Sequence, residues 1–252
     1  MPFRRKMIVG NWKMNVPADP AAAIDVIAEA SVSNLRNAPA LVVCPPATMV
    51  ALLVGRGIRV GGQDCHIKPS GAYTGDISAP MLALAGASHV IVGHSERRIG
   101  HFENDQIVAR KTLAAWRSDL TAIVCVGETK ADRDGGGAAE AVAKQVAGSL
   151  PKGVKASNTV VAYEPVWAIG AGTAATPEQI AEMHAVIRKQ IASAFGDRVA
   201  SNIRILYGGS VTAENAAAIF AHEDVDGALI GGASLRADEF LSIAARAQEA
   251  MA

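Results

Sequence analysis

The sequence predicts an α/β protein folded as one closed (β/α)8 barrel. Short apolar runs rich in β-branched residues alternate with longer helical segments, eight times over. The length of 252 residues is the usual size of such a barrel. Polar motifs follow nearly every apolar run, and closure gathers all eight strand ends onto one face. Strands alternating with helices imply right-handed crossovers and a parallel sheet. The alternative is an open doubly wound sheet. No linker or low-complexity stretch interrupts the pattern, so residues 1–252 read as a single domain.

The first strand is placed at Lys6 to Gly10. A helix over 18–36 follows, with Ile24, Ile27 and Ala28 on one apolar stripe. Leu41 to Cys44 is the second strand, closed by Pro45-Pro46, which offer no N–H to a ladder. A helix from about Thr48 leads to the third strand, Arg59 to Gln63. A long polar loop, Asp64 to Ser78, precedes a short helix around Pro80 to Ala85. The fourth strand is His89 to Gly93, then a helix over 105–117 and the fifth strand, Ala122 to Gly127. Residues 138–149 read as helix and Thr159 to Tyr163 as the sixth strand. Thr176-Pro177-Glu178-Gln179 opens the next helix, to 194, with an N-cap, a proline at the first helical position and a capping-box glutamine. Ile203 to Tyr207 is the seventh strand, 213–221 a helix, Gly227 to Ile230 the eighth strand and 238–249 the last helix.

Composition excludes several classes. Lysine plus arginine balance aspartate plus glutamate, so the formal net charge is zero and no basic stripe argues for nucleic acid. Half of the residues are hydrophobic, yet no apolar run is long enough to span a membrane. The basic start, Met1 to Lys6, leads into too few apolar residues for a signal peptide. Cys44, Cys65 and Cys125 are odd in number and far apart; Cys44 and Cys125 lie in apolar runs. They read as small buried hydrophobes in a reducing compartment, by default the cytoplasm.

The stretch from Val161 to Gln179 carries the most chemistry. An apolar strand ends on one carboxylate, Glu164, and Pro165 stops the ladder at once. Eleven mostly small or apolar residues, Pro165 included, separate Glu164 from the helix cap. That is the layout of a base under a movable cover. Gly170-Ala171-Gly172-Thr173-Ala174-Ala175 matches a dinucleotide fingerprint, but Pro165 to Ile169 intervene and the helix starts too late. That match is rejected. Gly208-Gly209-Ser210 and Gly231-Gly232 follow the last two strands, where barrels commonly cradle phosphate on backbone N–H groups. Ala233-Ser234-Leu235 can supply the short extra helix of that corner. Lys13 lies at the tip of strand one, beside strand eight in a closed barrel; alone it would read as a solvated lysine. His94 ends strand four, with Ser95 expected to cap a turn through Arg97. A helix N-terminus aimed at the ring disfavours its cation, so a neutral imidazole is expected. No histidine pair has metal-ligand spacing. Asp132-Arg133-Asp134-Gly135 lacks the last glutamate of a calcium loop and reads as a turn. A base, a neutral imidazole, a lysine and a phosphate cradle suit proton abstraction next to a carbonyl on a small phosphorylated compound.

The whole chain resembles the triosephosphate isomerase family. The resemblance rests on Gly10 to Asn15, Gly93 to Arg98, Tyr163 to Gly170, Tyr207 to Val211 and Gly231 to Leu235, in that order. It implies a TIM barrel that interconverts dihydroxyacetone phosphate and glyceraldehyde 3-phosphate in glycolysis and gluconeogenesis, with no cofactor and no metal. It implies Glu164 as base, His94 as carbonyl polariser, and Lys13 with Asn11 as stabilisers of the enediolate. Gly170, Ser210, Gly231 and Gly232 would bind phosphate, Glu96 would sit near Lys13, and Glu128, Trp167 and Tyr207 would support the site and lid. It also implies a homodimer in which loop 64–78 reaches into the partner and brings Thr74 near the partner's site. One departure stands out: Ala171-Gly172-Thr173 replaces the family's common Thr-Gly-Lys, leaving Thr173-Ala174-Ala175 as the distal lid hinge. Two other readings stay open, an isomerase of a four-carbon phosphorylated ketose and a non-catalytic phosphate-binding barrel.

Overall fold

The computed structural model describes residues 4–31, 38–169 and 174–250. Eight parallel strands close on themselves in sequence order: β1 (Met7–Asn11), β2 (Ala40–Cys44), β3 (Arg59–Gly62), β4 (His89–Val92), β5 (Thr121–Val126), β6 (Thr159–Tyr163), β7 (Arg204–Tyr207) and β8 (Gly227–Ile230). Closure is made by β1 against β8, with Met7 opposite Gly227 and Gly10 opposite Ile230.

Alternation along the strands builds two cores. Inward side chains, among them Met7, Val9, Val42, Ile91, Ile123, Val160, Leu206 and Leu229, fill the barrel. Outward ones such as Ile8, Val43, Val90, Val124, Val161 and Ile205 meet the apolar stripes of the helices. The helices are α1 (Pro20–Ser31), α2 (Ala47–Leu53), α3 (Ala79–Leu84), α4 (Ser95–Gly100), α5 (Asp105–Arg117), α6 (Lys130–Asp134), α7 (Ala138–Ser149), α8 (Pro177–Phe195), α9 (Asp197–Ala200), α10 (Ala216–Phe220) and α11 (Ala237–Glu249). Two 3₁₀ turns, Val166–Ala168 and Gly232–Leu235, follow β6 and β8.

The strands fall within a residue or two of their expected places. α8 starts with the expected box: Thr176 accepts from the Gln179 N–H and Gln179 answers to the Thr176 N–H. The differences are local. Asp132-Arg133-Asp134 is one helical turn, α6, because Thr129 and Asp132 form a capping box that sequence reading passed over. α1 starts at Pro20, two residues later than expected, and ends at Ser31, and residues 32–36 of the expected helix lie outside the described residues. α10 is shorter than expected, and α9 was not foreseen.

Beneath the barrel, Arg4 and Arg188 together hold Asp224 and Asp226. The fully buried His184 is anchored beside them through Nδ1 to the Asp224 carbonyl at 2.9 Å. Burial pushes the His184 and His89 imidazoles down to about 4. Unfolded imidazoles titrate near 6.5, so the unfolded chain binds more protons between these values. Stability is therefore full above about pH 6.5 and falls as pH drops toward about 4, by about 3 kcal/mol for each ring. Urea unfolding at stepped pH should show this loss, and His184→Gln should remove about half of it.

Candidate active site

The carboxyl ends of the strands surround a cleft of about 340 Å³, lined by Asn11, Lys13, His94, Glu164, Ser210, Gly231 and Gly232 among others. Glu164 follows β6 directly and is only 2 % exposed. Its Oε2 accepts the Ser95 N–H at 3.0 Å and its Oε1 lies 2.9 Å from His94 Nε2. Two glycines make room for it. A Cβ on Gly127 would stand 1.7 Å from the Glu164 carbonyl oxygen, and one on Gly208 would stand 2.8 Å from Glu164 Cγ.

His94, not Ser95, caps α4: its Nδ1 accepts the Glu96 N–H at 3.2 Å. A proton donor at Nδ1 assigns the ring's own proton to Nε2, facing Glu164. Burial by itself lowers the His94 pKa, but the adjoining carboxylate overrides it and holds the ring above its ordinary value. The neutral ring expected from the helix N-terminus is thus opposed here, because Glu164 rests against it. Burial by itself raises Glu164; His94, the Ser95 N–H and the Cys125 thiol outweigh it and hold the carboxyl below its ordinary range.

Lys13 takes a left-handed backbone conformation, φ 53°, unusual for a side chain with a Cβ. The Asn11 side-chain oxygen accepts the Lys13 N–H, and Gln63 Nε2 donates to the Lys13 carbonyl at 2.7 Å, which together fix this turn. Such local strain persists only where surrounding bonds impose it. The Lys13 ammonium lies 2.7 Å from Glu96 Oε1. Its Cε is 3.4 Å from where a Gly231 Cβ would be, so the cation borders the glycine corner. Beneath that corner the buried Trp12 indole donates to the Ser234 carbonyl at 3.0 Å.

Glu128, fully buried, takes hydrogen bonds from the Tyr163 hydroxyl at 3.0 Å and the Trp167 indole at 2.7 Å. The Arg133 guanidinium lies over the Trp167 ring, 5.2 Å from its centroid, and 3.2 Å from Glu128. Tyr207 is buried with its hydroxyl against the Ala175 backbone, at the far end of the cover. Gly170 and Thr173 lie outside the described residues.

Loop 64–78 projects from the same face. His66 and Ser78 bridge its base, the His66 and Tyr73 rings lie 4.1 Å apart, and Thr74 is exposed. Lys111 ties the loop base to the barrel, bonding Asp64 and Glu103, while Arg97 bonds the same two carboxylates.

Sequence reading missed several of these groups. Cys125 was read as a core hydrophobe, and the inward parity of β5, which also points Ile123 inward, was the signal that could have placed it under Glu164. Arg133 and the Lys111–Asp64–Glu103–Arg97 cluster carried no local signal. Among the described residues no group of three or more His, Cys, Asp or Glu is placed to hold a metal ion, and no helix is long and apolar enough to cross a membrane.

The model of the triosephosphate isomerase family matches residues 6–247. A triosephosphate isomerase of Xanthobacter autotrophicus is 53 % identical over 245 residues, covering 96 % of each chain. One of Ruegeria pomeroyi is 51 % identical over 252 residues, covering 98 % of this chain and 99 % of its own. The crystal structure of the Bartonella henselae enzyme superposes with a TM-score of 0.87 at 46 % identity, over 95 % of this chain and 97 % of that one. With the strand order, the cleft and these relatives in agreement, the chain belongs to the triosephosphate isomerase family.

Proposed function

We propose that this barrel interconverts dihydroxyacetone phosphate and D-glyceraldehyde 3-phosphate by proton transfer through an enediolate. One observation carries the chemistry: a buried carboxylate and an imidazole share the wall of a cleft bordered by Lys13 and the glycine turns. The substrate phosphate would seat on the backbone N–H groups of Ser210, Gly231 and Gly232, joined by Gly170 when the cover closes. A carbonyl oxygen reaching His94 Nε2 would displace Glu164, and the missing Cβ of Gly208 leaves its side chain room to turn into the cleft.

Glu164 then takes the proton from one carbon and returns it to the next. His94 donates from Nε2 to the developing oxyanion. Once Glu164 has turned away, its offset to the burial of the ring is lost, the Lys13 cation opposes the more distant Glu96 carboxylate, and the Glu96 N–H at Nδ1 favours the neutral donor. Lys13 supplies the positive charge that the enediolate needs, with Asn11 beside it. The four-carbon ketose and the non-catalytic barrel draw no support from the Xanthobacter and Ruegeria relatives, both triosephosphate isomerases. A cytoplasmic setting fits three free thiols that are all buried.

We also propose that the enzyme works as a homodimer through loop 64–78. Met14 is 95 % exposed, Leu84 91 % and Phe102 86 %, an apolar surface more typical of an interface than of solvent. Thr74 would then lie near the partner's copy of the cleft. The segment 165–175 would close as a lid, with Trp167 turning at the Glu128 hinge.

The base is tested by Glu164→Asp, which retracts the carboxylate by one methylene. kcat should fall by at least about 10²-fold in a folded variant. Unchanged turnover would remove Glu164 from the role.

Sedimentation should give about twice the chain mass at micromolar concentration, and deletion of residues 68–76 should give monomers of low activity. A fully active monomer refutes the idea that the partner loop completes the site.

The lid has a chemical readout. An enediolate whose C–O bond to phosphate aligns with its π system expels phosphate and yields methylglyoxal. A closed lid holds the phosphate in plane and excludes water. Deleting residues 169–172 should lower kcat and release methylglyoxal. A raised KM with unchanged kcat and no methylglyoxal would show that the lid serves affinity alone.

A further inference from the structure

The opposite mouth of the barrel carries a second gathering of charge. Arg59 stands in register with the inward Val42, and Arg204 with the inward Val160. His89 precedes Ile91 by two residues and Arg5 precedes Met7 by two, so both share the inward parity of those side chains. Four basic groups, from four strands or their immediate leads, therefore converge at the amino ends of the strands.

They sense one another. Burial lowers the His89 pKa, and the Arg59 and Arg204 cations lower it further. Burial also lowers Arg204; Asp226 opposes this, and Arg5 and Arg59 add to it. Backbone bonds fix two of the guanidinium groups through Nε only: Arg5 to the Ala38 carbonyl at 2.6 Å and Arg204 to the Arg5 carbonyl at 2.8 Å. Ser88 Oγ holds His89 Nδ1 at 2.8 Å.

Asp226 acts on Arg204 from a distance, but among the described residues no carboxylate forms an ion pair with these three arginines. Asp224 and Asp226 are held by Arg4 and Arg188, and Asp226 also accepts the Ile205 N–H. Among the described residues, none of the carboxylates of this end, which also include Asp119, Asp197 and Glu223, pairs with Arg5, Arg59 or Arg204. The strand register gives these arginines the inward parity, and Arg204 is close enough to Arg5 and Arg59 to be affected by both cations. Guanidinium groups offer planar pairs of donors that match phosphoryl oxygens.

We infer that the amino-terminal mouth of the barrel binds a small multivalent phosphoryl anion between Arg5, Arg59 and Arg204, with His89 at its floor. The apolar layer of Met7, Val42, Ile91 and Val160 separates this seat from the catalytic cleft, so it is a site of its own. Inorganic phosphate, pyrophosphate and the phosphate tail of a nucleotide share the chemistry. Three cations favour the more highly charged among them.

The experiment is calorimetric titration of the whole enzyme with phosphate, pyrophosphate and ATP. Excess glycerol 3-phosphate, which has no carbonyl to isomerise, keeps the cleft filled. Arg59→Gln is the informative variant, because Arg59 is exposed and its side chain makes no hydrogen bond or ion pair among the described residues that folding would miss. Pyrophosphate should bind more tightly than phosphate, and Arg59→Gln should weaken it at least about tenfold without changing kcat. Tighter binding of ATP than of pyrophosphate would identify a nucleotide as the source, and the reverse a free phosphoryl anion. Imidazole NMR gives a separate readout: saturating pyrophosphate should raise the His89 titration midpoint, since a neighbouring anion favours the imidazolium. Equal pyrophosphate affinity in both proteins, a His89 midpoint that stays put, or no binding up to about 10 mM would overturn the inference.

Discussion

The seam between β1 and β8 is the constraint on which the rest of the molecule depends. Pairing Met7 with Gly227 and Gly10 with Ile230 joins the two ends of the sheet. Only then does Lys13, early in the chain, border Gly231, near its end. The same seam leaves no free sheet edge and orients every strand toward one catalytic face. Close passage at the seam is sterically demanding: a Cβ on Gly227 would lie 1.8 Å from the Met7 carbonyl oxygen.

Within that frame the site is a balance between burial and pairing. Burial alone favours the neutral forms of Glu164 and His94, and each shifts the other back toward its charged form. The Ser95 N–H steadies one carboxylate oxygen, and the Glu96 N–H fixes the imidazole tautomer. Both donors come from the first turn of α4, so one helix start orients the proposed base and electrophile together. The Glu164 carboxylate is thus sheltered and held toward its ionised form, and the move toward substrate proposed for it would exchange one set of partners for another.

What the sequence made legible follows from locality. The strands announce themselves through β-branched runs covered on both faces, and α8 through a cap whose partners lie three residues apart. Glu164, His94, Lys13 and the glycine turns were legible as cleft residues because each lies within two residues of a strand end, and closure gathers the strand ends around one cleft. Groups whose meaning depends on distant partners were not. Lys111 meets Asp64 across 47 positions, and Arg133 meets Trp167 only through tertiary packing. Cys125 looked like filler because its neighbours are apolar; its inward parity under Glu164 exists only once the barrel has closed. The cap on α4 was misplaced by one residue, since histidine is an uncommon cap and serine a favoured one.

The left-handed turn at Lys13 ties two surfaces into one hinge of backbone. The reversal that sends the Lys13 ammonium to Glu96 leaves the next side chain, Met14, almost wholly outside. Neither residue can be reoriented alone, because the Asn11 and Gln63 side chains clamp the peptide between them. Whatever covers Met14 therefore presses on the backbone that aims the cation. On the proposed roles of Lys13 and of the dimer, catalytic competence and self-association are in this way inherited as one trait: drift at the contact surface is screened by turnover, and drift at the lysine by assembly.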